Sequence, residues 1–123
     1  MGDFVALYQP NQSVTRTLSA NCTGGQALSV SGDGTVAPTS AADKGYVGLA
    51  AYDALSGALV TVLGPGDYEV TTTGTVTAGD LVTTAAAGAF ATQGAASAAN
   101  DVQCVGVALT TAASNKCKVR LFR

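Results

Sequence analysis

The chain of 123 residues has no histidine, no tryptophan and no isoleucine. Without histidine the commonest general base and transition-metal ligand is missing, so a Ser-His-Asp triad or a His-based zinc site is excluded. Charge is scarce as well: 11% of the residues are Asp, Glu, Lys or Arg, with a net charge of −2. Six Lys and Arg are too few for a nucleic-acid footprint. No window approaches the roughly 18 consecutive apolar residues of a membrane span. The three cysteines, Cys22, Cys104 and Cys117, form no Cys-x-x-Cys spacing, and their odd number argues against a full disulfide framework. These absences lead us to expect no cofactor, no metal and no catalysis. They also point away from nucleic acid, membrane or a small-molecule substrate as partner.

What the chain has instead is small residues: Ala, Gly, Ser and Thr fill 62 of the 123 positions. The larger apolar residues are mainly 14 Val and 10 Leu, with only seven aromatics. Burying one Val or Leu stabilises by roughly 1.5–3 kcal/mol, while fixing one backbone residue costs about 1–2 kcal/mol. So light a core offsets that entropy poorly, and self-association would add buried area.

The first residues lack a basic stretch followed by an apolar one, so no signal peptide is expected. Production in a reducing cytoplasm suits the cysteine usage. Cys104 and Cys117 could face each other on neighbouring strands, but small buried thiols are the more ordinary reading.

Residues 1–13 differ from the rest. Phe4 and Tyr8 are two of the seven aromatics, Val5 and Leu7 accompany them, and Pro10-Asn11 breaks any regular element. This segment reads as an extended N-terminal arm with Phe4, Val5, Leu7 and Tyr8 as candidate docking residues.

Residues 14–123 read as one β-domain. Val14, Arg16 and Leu18 alternate with Thr15 and Thr17, and Leu28 and Val30 form a strand that turns at Asp33-Gly34. Gly45 to Leu55 reads as a strand with Val47, Leu49 and Ala51 on one face, and Ala58 to Leu63 as the next. Gly64-Pro65-Gly66-Asp67 reads as a turn, Tyr68 to Val76 as a Thr-rich strand, and Leu81 to Thr84 as a further one. A short helix is expected over Ala95 to Asn100, then strands at Cys104–Thr110 and Lys116–Phe122. Turn signals every 8–12 residues mark an all-β sandwich or barrel. A repeat runs through it: Leu28 to Val36 resembles Leu81 to Phe90, and Tyr46–Ala50 resembles Cys104–Ala108. It suggests two similar halves, about 25–63 and 78–123.

Asp33, Asp67 and Asp80 sit beside glycine, where Asp stabilises turns. Asp67 and Glu69 share one strand face, with no partner evident in the sequence. In the last strand Cys117, Val119 and Leu121 form one face and Lys116, Lys118 and Arg120 the other. With Arg123, four of the six basic residues lie in the last eight positions. The strip reads either as a solvated edge or as a surface for an acidic protein partner. Arg16, on the first strand, joins these as a candidate contact.

Gly79-Asp80-Leu81-Val82, then Gly88, then Val105-Gly106-Val107-Ala108-Leu109 and a closing Val119-Arg120-Leu121 resemble the capsid decoration, or cement, proteins of tailed bacteriophages. The similarity runs from about Thr15 to Leu121, and its motifs are structural. It implies a compact β-barrel-like domain, usually a homotrimer, on the outer capsid surface of the virion. The partner would be the major capsid protein, clamped by terminal arms, with no enzyme activity. The arm here is longer and more aromatic than the family's short leader. Other classes consistent with the composition are a tail-tube or head–tail component and a surface carbohydrate-binding module. The missing tryptophan disfavours the last.

Overall fold

The computed structural model describes residues 14–94 and 98–123. Strands β1 (Val14–Leu18), β2 (Ala27–Gly32), β3 (Thr35–Pro38), β4 (Tyr46–Ala50) and β5 (Leu59–Leu63) close a barrel in the order β1-β3-β2-β4-β5. Strands β6 (Gly66–Thr71), β7 (Leu81–Thr84), β8 (Phe90–Thr92), β9 (Cys104–Ala108) and β10 (Lys116–Leu121) form a second sheet in the order β6-β10-β9-β7-β8. A 3₁₀ turn at Ala86–Gly88 and one helix, α1 (Ala98–Gln103), complete the described elements. The compact all-β domain of short strands agrees with the alternation and turn spacing. The arm assigned to residues 1–13 lies outside the described residues.

The second sheet repeats the first, strand for strand. In the barrel, Leu28 faces Gly48 and Ser29 faces Tyr46, which skips Val47. In the sheet, Val82 faces Gly106 and Thr83 faces Cys104, which skips Val105. Both skips are β-bulges, in which one extra residue bends and twists the strand. The β2–β3 hairpin pairs Leu28 with Pro38 and Val30 with Val36. Likewise β7–β8 pairs Val82 with Thr92 and Thr84 with Phe90. Closure follows the same plan. Parallel pairing of Leu18 with Val36 joins β1 to β3, and a single parallel bridge joins Thr72 to Phe90. The turns agree too: the Thr23 N–H donates to Gln26 Oε1 at 2.8 Å, and the Thr77 N–H to Asp80 Oδ2 at 2.9 Å. The repeating unit therefore takes in β1 and β6 as well as the later strands.

The core has two parts. Leu18, Cys22, Leu28, Val36, Ala50, Val60 and Val62 fill the barrel. Val70, Val82, Phe90, Val105, Cys117 and Val119 fill the second unit, and Ala27, Tyr46 and Leu49 of the barrel pack into it. Tyr46 meets Phe90 edge to face, with ring centroids 6.1 Å apart.

Several local expectations change. Strand β4 ends at Ala50, and its faces are not Val47, Leu49 and Ala51. The bulge at Val47-Gly48 shifts the period, so that Tyr46 and Leu49 enter one cluster while Val47 and Ala50 join the other. Ala51 is exposed. Gly66 and Asp67 belong to β6 rather than to a turn, because they pair with Leu121 and Arg120. Strand β6 stops at Thr71, well before Val76. The helix falls at Ala98–Gln103, later than expected; residues 95–97 lie outside the described ones. Cys104 and Cys117 do not face each other. Cys117 lies level with Thr110, whose carbonyl its thiol meets at 3.0 Å, and all three cysteines are free.

Candidate interaction surfaces

The charged face of β10 is a mixed surface rather than a basic strip. The antiparallel register sets Lys118 opposite Glu69 and Arg120 opposite Asp67. Arg120 Nε donates to Asp67 Oδ1 at 2.8 Å and its Nη2 to Oδ2 at 3.3 Å. This bond holds the Asp67 carboxyl below the ordinary aspartate range. Lys116 Nζ donates to Thr71 Oγ1 at 2.9 Å. Three cations thus stand against two carboxylates, and the acid pair that had no evident partner in the sequence finds one across the sheet. A hollow of about 230 Å³ beside them is lined by Asp67, Tyr68, Glu69, Leu109 and Lys118.

Arg123 is apart from this face. Its guanidinium donates to the carbonyls of Val102 (3.1 Å) and Lys44, tying the last residue to α1 and to the β3–β4 connection. Arg16 stands in the other unit, on β1 opposite Val60. It borders a hollow of about 140 Å³ at one end of the barrel with Val30, Gly34, Thr35, Val36 and Val47. The candidate residues Phe4, Val5, Leu7 and Tyr8 lie outside the described residues. The structure thus brings Lys116, Lys118 and Arg120 together and separates Arg16 and Arg123 from them.

A cleft of about 350 Å³ lies between the units, bordered by Thr23–Gln26, Glu69–Thr71, Ala87, Gly88 and Lys116. Its polar rim is largely engaged. Gln26 accepts from the Thr23 N–H and donates to the Ala87 carbonyl, the Gly24 N–H donates to Asp53, and Lys116 donates to Thr71. Among the described residues no group of three or more Cys, Asp or Glu could hold a metal ion, and no helix is long and apolar enough to cross a membrane. Burial pushes the Cys22 thiol above its ordinary range, against a backbone hydrogen bond from Ala54.

Among the described residues Val30, Tyr52, Leu55, Leu59, Leu81, Val102, Leu109 and Phe122 carry the exposed apolar surface, a role that sequence reading did not assign to them. The arrangement is one of surfaces and engaged loops.

No family model and no curated protein sequence matches the chain. The fold does match a solved structure. The head fiber gp8.5 N base of bacteriophage phi29 aligns with 89% of this chain and 92% of its own, at 19% identity and a TM-score of 0.63. The two share a fold across nearly their whole lengths.

Proposed function

We propose that this chain is a structural virion protein that binds the outer surface of a phage capsid and stabilises the lattice of the major capsid protein. The observation that carries this reading is the shared fold with a phage head-fiber base, over 89% of the chain. It is supported by the decoration-protein pattern of Gly79–Val82, Gly88, Val105–Leu109 and Val119–Leu121, reached from the sequence independently of that likeness. In this role the chain acts as a ligand and not as an enzyme. A ligand that binds only the assembled shell stabilises it by RT ln(1 + [L]/Kd), about 2.7 kcal/mol per site at a hundredfold excess over Kd. A homotrimer touching several capsid subunits gains further by avidity.

A second reading shares the same observation. The solved neighbour is a head-fiber base, so the chain could equally anchor an appendage on the head. The two readings differ in number. Purified chain is mixed with undecorated heads of the virus that encodes it, and bound copies are counted after sedimentation. A cement protein saturates at a number comparable with the capsid lattice sites, whereas a fiber base saturates at far fewer. Absence of any co-sedimentation overturns both.

A further inference from the structure

We infer that copies of this chain join head to tail, the outer face of the second unit in one copy covering the Val30 end of the barrel in the next. Inside one chain, the first unit already covers an end of the second. The Gly88 N–H donates to the Thr39 carbonyl and Thr39 Oγ1 to the Ala85 carbonyl. Thr84 Oγ1 donates to the Ala41 carbonyl and accepts from the Asp43 N–H. Gln26 reaches Ala87, and Tyr46 lies against Phe90. Beneath this cover Val70, Thr84, Ala89, Phe90 and Val105 are all buried.

The equivalent end of the barrel has no such cover among the described residues. The strand registers equate Val70 with Arg16, Thr84 with Val30, and Val105 with Val47. Where Thr84 is 1% exposed, Val30 is 56% exposed. Arg16 and Val47 are half-buried, and between them lies the 140 Å³ hollow. This is the receiving surface, apolar in part, and among the described residues no counterpart of the Thr39–Asp43 cover meets it.

The donating surface is duplicated as well. Ala27, Tyr46 and Leu49 of the first unit are buried against the second. Their equivalents by register are Leu81, Cys104 and Val107. Leu81 is 48% exposed, Cys104 and Val107 are half-buried, and Val102 on the adjoining α1 is 56% exposed. The chain therefore carries one made joint and the two unmade halves of the same joint, at opposite partners of the repeat. A heterologous contact of this kind closes into a ring when its rotation allows and extends into a filament otherwise. The joint rests on self-association and does not depend on a virion role, so it stands or falls separately from capsid binding.

The test uses the full chain in light scattering after gel filtration, up to millimolar concentration. Wild type is expected above monomer mass. Val30→Glu and Leu81→Glu each alter an exposed side chain, so each should keep the wild-type circular dichroism and lose every species above monomer. Mixed together they should give a one-to-one dimer, because each retains the half of the joint that the other lacks. A monomeric wild type overturns the inference, as does a mixture that stays monomeric or either variant assembling as wild type does. If full-length chain is monomeric but associates once residues 1–13 are removed, the N-terminal segment of the same chain occupies the barrel end, and the inference also falls.

Discussion

Gly48 in β4 and Gly106 in β9 hold one position in two copies of the same unit. Each follows the extra residue of a bulge, and each lies against a carbonyl of the neighbouring strand, that of Leu63 for Gly48 and that of Arg120 for Gly106. A Cβ at Gly48 would also meet Val62 Cγ1 at 2.5 Å, and one at Gly106 would meet Leu121 Cδ2 at 2.9 Å. Backbone cannot yield as a flexible side chain can. Gly48→Ala and Gly106→Ala should each destabilise by about 1–3 kcal/mol or more through overpacking. Gly48→Ala should be the worse, since φ there is +152°. Urea denaturation of both variants measures this, and a midpoint unchanged from wild type would contradict the bulge geometry.

Thr72 and Thr84 should respond oppositely to the same substitution. Thr72 stands where the barrel has Leu18, is buried, and its Oγ1 has no partner among the described residues. Thr72→Val should stabilise by about 1 kcal/mol, because it removes an unpaired buried hydroxyl at equal volume. Thr84 Oγ1 makes two hydrogen bonds to the β3–β4 connection. Thr84→Val should cost about 1–3 kcal/mol. Thermal melts of the pair check the sign of each.

Tyr46 makes folding sensitive to alkali. Its hydroxyl is buried without a partner among the described residues, and burial drives its pKa well above the ordinary tyrosine value; Tyr68 adds to the rise and Arg123 opposes it. A pKa raised in the folded state contributes stability that is whole below the unfolded value, about 10. That contribution is lost as pH climbs from there through the folded value. Denaturant midpoints should fall above about pH 10 in wild type and fall less in Tyr46→Phe. An identical slope in both would assign the loss to other groups.

The thiols should divide by burial. Cys22 and Cys117 are buried and Cys104 is half-buried, all three free. A thiol reagent under native conditions should label Cys104 alone in the monomeric Val30→Glu chain, with all three reacting after unfolding. Rapid native labelling of Cys117 would contradict its place in the core of the second unit.

Strand positions were legible because Val and Thr alternate between glycine turns, and Gly34, at φ +80°, and Gly79, at φ +93°, do turn the chain. Less legible was what a single strand cannot encode. Gly48 and Gly106 read as neutral strand residues, yet each belongs to a bulge that swaps the faces of its strand. The repeat left a trace in Leu28–Val36 and Leu81–Phe90. Its full extent shows only in the registers, since Arg16 and Val70 share a position but no chemistry. The basic side of β10 was legible by alternation. Its partial neutralisation was not, because Asp67 and Glu69 lie some fifty residues earlier and meet it only through the sheet.

The function proposed above places this fold on the outside of a phage head. Cryo-electron microscopy of the intact virus particles, at a resolution that traces the chain, tests it most directly. The account predicts density for two five-stranded units with the β10–β6 register described above, resting on the outer surface of the capsid. Density for this fold in the tail alone, or particles that contain none of the chain, would contradict it.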